Sequence, residues 1–221
     1  MKKVMKNQDL DLFKKGKFQG IDPHFMTEGY EALDGLTQLQ EKYGKKDMDT
    51  LLNELHDSMV GYYLGFELVN TDKHGFDCKY SKAEDIFLES KVVSFSAKTW
   101  HATFNDTTVD KAQAFGDEKV WLALSVWESA GKLLCICYGQ HDGIEKFLKD
   151  KIDQHVNNQT IRSTQSISFS NLIFKYDFKI LSITKTPEDL YRILSLKEKK
   201  LKNIDWEKII LTPKTFVDIF H

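Results

Sequence analysis

Three side chains in this sequence have the types and spacing to do chemistry together. Asp77 stands in HGFDCKY, and Glu89 and Lys91 stand in IFLESKVVSFSAK. The second segment has the β-branched and aromatic bias of a buried strand, so Glu89 and Lys91, two apart, leave the same face. Asp77 lies 12 residues before Glu89, a gap that a short hairpin closes. Burying a carboxylate and an ammonium in mid-strand is costly unless they pair with each other or with a metal ion. Two carboxylates can hold a hard divalent cation such as Mg²⁺, which takes oxygen ligands and keeps several waters. An ammonium beside them can orient a water and stabilise charge that develops on an attacked phosphodiester.

The flanking segments must place these groups. KKDMDTLLNELHDSMVGYYLGF predicts a helix capped by Asp47 or Asp49, with Leu51, Leu52, Leu55, Met59, Val60 and Tyr63 as its apolar stripe and Gly65 as its end. FELVN reads as a short strand, and SKAED as the turn between the two charged β segments. NDTTVDKAQAFGD reads as a helix capped by Asn105 or Asp106 and stopped by Gly116. EKVWLALSVWES and KLLCICYG are apolar runs of inner-strand length, and FKILSIT is a further strand. Helices are expected from about Thr27 to Tyr43, over GIEKFLKDKIDQHV, and over PEDLYRILSLKEKKLKN with Pro187 in its first turn. The expected fold is α/β (α+β), a central mixed sheet flanked by helices. It forms one domain over residues 1–221, with a catalytic core at about 47–140 and a C-terminal part, 141–221, that contributes recognition.

The order of helix, strand with Asp77, turn, strand with Glu89-Ser90-Lys91, helix and buried strand resembles the PD-(D/E)XK nucleases, which include most type II restriction endonucleases. The resemblance covers roughly residues 47–130; Phe76 stands where the motif's name has proline. It implies a restriction-endonuclease-like core with one or two Mg²⁺ ions held by Asp77, Glu89 and the backbone carbonyl of Ser90. Lys91 would position or deprotonate the attacking water. Some members add an acidic residue from the preceding helix, for which Glu54 is the first choice and Glu67 the second. The implied function is a sequence-specific, Mg²⁺-dependent double-stranded DNA endonuclease, a type II restriction enzyme acting as a homodimer on a palindromic site. A repair or junction nuclease of the same fold is an alternative, and so is a non-catalytic DNA-binding module with a structural Glu89–Lys91 pair. A sugar hydrolase using Asp77 and Glu89 as acid and base leaves Lys91 without a role. No G-x-S-x-G elbow is present, which argues against a serine hydrolase.

Two polar stretches are candidate DNA contacts. Trp100, His101, Thr103, Asn105, Thr107 and Thr108 crowd the join between the catalytic strand and the next helix, where they could grip the phosphate backbone; a capped helix start with a hydroxyl network reads equally well. Arg162, Ser163, Thr164, Gln165, Ser166 and Ser168 could read bases in the major groove, or form a Ser/Thr-rich edge strand. Arg162 and Arg192 are the chain's two arginines. Net charge is −2 overall, with −6 over residues 1–143 and +4 over residues 144–221. The basic excess permits phosphate contacts, although a solvated lysine-rich face such as KEKKLK gives the same count. Cys78, Cys135 and Cys137 lack zinc or disulfide spacing, and Cys135 and Cys137 read as core residues on one strand face. No membrane span is expected, the basic N-terminus lacks the apolar segment of a signal peptide, and a bacterial or archaeal cytoplasm is the expected setting.

Overall fold

Helix α1 (Pro23–Lys42) begins at a proline, whose preset φ suits a first helical turn and whose missing N–H costs nothing there. It ends on Lys42, a cation at the negative end of the helix dipole. The computed structural model describes residues 23–42, 48–68, 76–80, 86–105, 107–117, 119–157 and 164–213. The chain divides into two compact units, Met1–Leu51 and Leu52–His221. Helix α1 belongs to the first. Helix α2 (Met48–Leu64) starts at its end and runs into the second. Asp47 lies outside the described residues, and Asp49 is inside the helix.

The second unit is a mixed α/β fold. Strands β1 (Phe66–Leu68), β2 (Cys78–Tyr80) and β3 (Phe87–Ser94) run antiparallel in sequence. The chain then crosses through β4 (His101–Phe104) and helix α3 (Val109–Ala114) to β5 (Val120–Ser129), which lies parallel to β3. Strand β6 (Lys132–Gly139) returns as a hairpin; helix α4 (Asp142–Asn157), strand β7 (Gln165–Ser168), helix α5 (Phe169–Tyr176) and strand β8 (Lys179–Ser182) follow. Helix α6 (Pro187–Lys197), a 3₁₀ turn (Lys199–Asn203), helix α7 (Trp206–Ile209) and strand β9 (Ile210–Leu211) complete the described chain. The main sheet has seven strands in the order β1-β2-β3-β5-β6-β8-β9, while β4 and β7 form a separate two-stranded ribbon. The restricted apolar runs of β5 and β6 are explained by this order: both lie in the middle of the sheet and are covered on both faces.

One face of the sheet packs against α2 through Val60 and Leu64, which meet Cys78, Leu88, Ala123 and Ile136. The opposite face builds the larger core, in which Leu122, Leu124, Cys135 and Cys137 lie under α4, α5 and α6. Full burial raises the Cys135 and Cys137 thiols far above their ordinary pKa, so both are inert packing groups. Among the described residues, no helix is long and apolar enough to cross a membrane.

The face of α2 differs from the expected stripe. The buried positions are His56, Val60, Gly61 and Leu64, whereas Leu52 and Met59 are 45% and 41% exposed. Gly61 explains the rotation. A Cβ there would stand 3.0 Å from Cys78 Sγ and 3.2 Å from the Phe66 carbonyl oxygen, so the helix approaches the sheet through its glycine edge. Two further expectations shift locally. His101–Phe104 is a strand rather than a loop, and α3 is capped by Thr108, whose hydroxyl accepts the Lys111 N–H at 3.2 Å.

Candidate active site

Strand β3 carries Glu89 and Lys91 out of the face that holds the larger core, as their register opposite Leu122 and Leu124 requires. The Lys91 ammonium donates to Glu89 Oε1 at 2.6 Å. A second ammonium, that of Lys111 on α3, reaches the same oxygen at 2.8 Å. The carboxylate is only 3% exposed, against 22% for the Lys91 side chain and 32% for Lys111. Both lysines rest on aromatic faces. Lys91 Nζ lies 5.8 Å from the Phe104 ring centre and Lys111 Nζ lies 5.6 Å from that of Phe76. Phe76, where the motif name has proline, thus packs with Phe87 and supports a lysine. Burial alone would depress the Lys91 pKa, but Glu89, Asp77 and Asp57 outweigh it and hold the pKa above its ordinary value. Lys91 is therefore an ammonium throughout the physiological range, a donor rather than a base. The β3 backbone is pinned from β5 by Ser125, whose hydroxyl donates to the Lys91 carbonyl at 3.1 Å and accepts from Trp127 Nε1 at 2.9 Å.

Asp77 immediately precedes β2, just beyond the Cys78–Leu88 pair, where the β3 edge is left open. Its own N–H donates to the Leu88 carbonyl at 3.1 Å, and its Oδ2 accepts the Ser90 N–H at 2.7 Å. A residue's N–H and C=O leave a strand from one edge, so the Ser90 carbonyl shares the side on which Asp77 lies. Burial and the like charges of Glu89 and Asp57 push the Asp77 pKa up to about 7, against the opposing pull of Lys91 and the Ser90 N–H.

The helix acid beside this group is Asp57. Burial raises its pKa to about 6, with Glu89 and Glu54 adding to the rise and the nearby Ser90 hydroxyl and Lys91 opposing it. Ser90 points to the α2 face because it alternates with Glu89 and Lys91. Glu54, the first choice from sequence, lies one turn earlier and is half-buried; its charge bears on Asp57. Glu67 is exposed on β1 opposite Lys79. Sequence reading missed both Asp57 and Lys111. The signal available for Asp57 was Gly61, an isolated glycine in a helix, which marks the face of closest approach and with it the positions one turn before. Lys111 had no local signal.

The chemistry of this donor set fits a hard divalent cation. The side-chain donors are carboxylate oxygens: burial raises the pKa of Asp77 and of Asp57 beside it, and Glu89 Oε2 is buried with no hydrogen-bond partner. No group of three or more His, Cys, Asp or Glu side chains among the described residues is already gathered to hold a metal. Glu89 is instead satisfied on one oxygen by its two lysines.

The candidate DNA contacts divide. Trp100 is fully buried against Phe95 and Phe169 and has no surface to offer a ligand, so it belongs to the core. Strands β4 and β7 bring the two polar stretches side by side, with His101 opposite Ser168 and Thr103 opposite Ser166. Ala102 and Ile167 face inward, so these four polar residues share the outward face of the ribbon. Gln165 sits opposite Phe104 on the inward side and is half-buried, which turns it away from that surface. Asn105, Thr164 and Ser166 are exposed and Thr103 and Thr107 are half-buried. Arg162 and Ser163 lie outside the described residues. Lys197, expected on a solvated face, donates to the Phe95 and Ala97 carbonyls at 2.9 and 2.6 Å and clamps the turn after β3. The chain matches no protein-family model and no curated protein sequence.

Proposed function

We propose that this chain is a divalent-cation-dependent nuclease of the PD-(D/E)XK type that hydrolyses phosphodiester bonds in duplex DNA, with sequence-specific cutting of the restriction type as the working form. The observation that carries the reading is the meeting of Asp77, Glu89 and Lys91 at one end of the β2–β3 pair. The Glu89–Lys91 contact is 2.6 Å, and Asp77 is bonded to the peptide between them at 2.7 Å. The helix, antiparallel strands, crossover helix and parallel strand around them add support.

Asp77 and Glu89 would hold the cation, with the Ser90 carbonyl on the same strand edge as a further oxygen donor. A bound Mg²⁺ supplies positive charge at the phosphoryl oxygens and a more acidic water. The protein does the rest. Lys91, kept protonated by its carboxylate neighbours, donates to the attacking water or to a phosphoryl oxygen and holds it in line. Phe104 and Phe76 exclude water beneath the two ammonium groups, which strengthens their fields. The outward face of the β4–β7 ribbon, through His101, Thr103, Ser166 and Ser168, would take the DNA backbone beside the site.

The test is cleavage of a supercoiled plasmid and of phage DNA with Mg²⁺, by the wild type and by Lys91→Ala. Nicked or linear plasmid and discrete phage bands are expected from the wild type. Lys91→Ala should lose roughly 100-fold or more in rate, the scale of one positioned transition-state donor. A wild type that leaves all substrates intact with Mg²⁺ and Mn²⁺ refutes the reading. One observation favours a second reading, a DNA-binding module that does not cut. Glu89 is already neutralised by two lysines, as a purely structural anion would be. DNA binding without cleavage would select it.

A further inference from the structure

We propose that Lys111 is a phosphate-binding residue of this site, held on Glu89 in the unloaded protein and released to the DNA backbone when a divalent cation takes that carboxylate. The inference rests on the nuclease reading above and adds a residue to it.

Glu89 Oε1 accepts from both Lys91 and Lys111, at 2.6 and 2.8 Å, while Oε2 is buried and has no hydrogen-bond partner. A structural ion pair needs one ammonium. The second is desolvated without improving the geometry of the first, and the remaining lone pairs stay unsatisfied. The two lysines also differ in position. Lys91 is anchored on the strand beside Glu89, with 22% of its side chain exposed, whereas Lys111 comes from a different element and is 32% exposed. Lys111 is thus the more exposed of the two. Its long stem can turn from the carboxylate toward a ligand at the mouth while its ring contact with Phe76 guides it. Cation binding at Glu89 would repel both ammonium groups. Lys111, the longer contact and the more exposed of the two, is the better placed to leave the carboxylate, and a phosphodiester anion arriving there offers it a new partner. Its helix start is tied down by the Thr108 cap, so the swing is confined to the side chain.

The experiment compares wild type, Lys111→Met and Lys111→Arg with Ca²⁺ as a probe cation and a duplex oligonucleotide cut from a DNA that the wild type cleaves. Lys111→Met should bind Ca²⁺ several-fold more tightly, because a competing positive charge is gone. It should bind the duplex in Ca²⁺ roughly 10-fold more weakly, the scale of one charged contact. Its salt dependence should fall by a slope of about 0.9, the mark of one lost phosphate contact. Lys111→Arg should keep wild-type duplex affinity. The opposed signs separate this role from a structural one, in which both affinities would fall together with the melting temperature. Unchanged duplex affinity and slope in a folded Lys111→Met protein overturn the proposal while leaving the nuclease reading intact. A wild type that neither binds Ca²⁺ nor cuts DNA removes both.

Discussion

Asp57 is the side chain with the most to show about energetics at this site. Its pKa is raised from 3.8 to about 6, chiefly by burial. A carboxylate whose folded pKa lies above its unfolded value contributes fully below the unfolded pKa, and that contribution is lost as pH rises through the folded one. Between pH 4 and pH 7 the protein should therefore lose stability on account of this group, on the order of 2–3 kcal/mol at most. Asp57→Asn, unfolded by urea in a chelator, should gain on the wild type by about that amount between pH 4.5 and pH 8. A difference that stays flat across this range would show that burial is not what governs the group. Asp77 moves in the same direction, to about 7, so cation binding should tighten as pH rises from 6 to 8 and should release protons. Calorimetry in two buffers of different ionisation enthalpy reads that release directly.

Elements set where these side chains stand. Helix α2 reaches the sheet through Gly61, which faces Cys78 Sγ and the Phe66 carbonyl. Gly61→Val should lift the helix from β2 and cost roughly 1–3 kcal/mol, as overpacking does. The same displacement would carry Asp57 away from Ser90, so the pH dependence assigned to Asp57 should shrink with the stability. Loss of stability with an undiminished pH dependence would place Asp57 elsewhere. Helix α3 is short and depends on its Thr108 cap. Thr108→Ala should cost about 1 kcal/mol and weaken DNA binding in parallel with Lys111→Met, since the cap holds the helix that carries that lysine. The restrained turn after β3 is an element-scale device of the same kind: Lys197, on α6, bonds Phe95 and Ala97 from about a hundred residues away in sequence.

At the scale of the second unit, the ribbon and the main sheet put a polar surface beside a buried ionic cluster. Phe104 joins the two, ending β4 and lying under Lys91. Placing acidic side chains on the ribbon, as Thr103→Glu with Ser166→Glu, should weaken duplex binding at least 10-fold by repulsion of phosphates and leave Ca²⁺ binding unchanged. Equal duplex affinity would free the ribbon of any part in recognition. Among the described residues there is one such cluster, and on the proposed nuclease function cutting both strands of a palindrome would need two. Plasmid should accordingly be nicked at low protein concentration and linearised at high concentration, with sedimentation following the same concentration range.

The placement of Glu89 and Lys91 together on a strand face is a local matter. It follows from the two-residue period of a strand, and the inner position of VWLALSVWES and KLLCICYG follows from their unbroken apolar character. These features needed no knowledge of partners far along the chain. Tertiary structure alone decided that Asp57 rather than Glu54 faces Ser90, that Lys111 shares Glu89 with Lys91, that Trp100 is enclosed, and that His101–Phe104 pairs with Gln165–Ser168. Each depends on helix rotation, strand order or register between segments distant in sequence. Periodicity reports which residues share a face, but contact between faces is set by how whole elements pack, and a single glycine at an interface is enough to turn one of them.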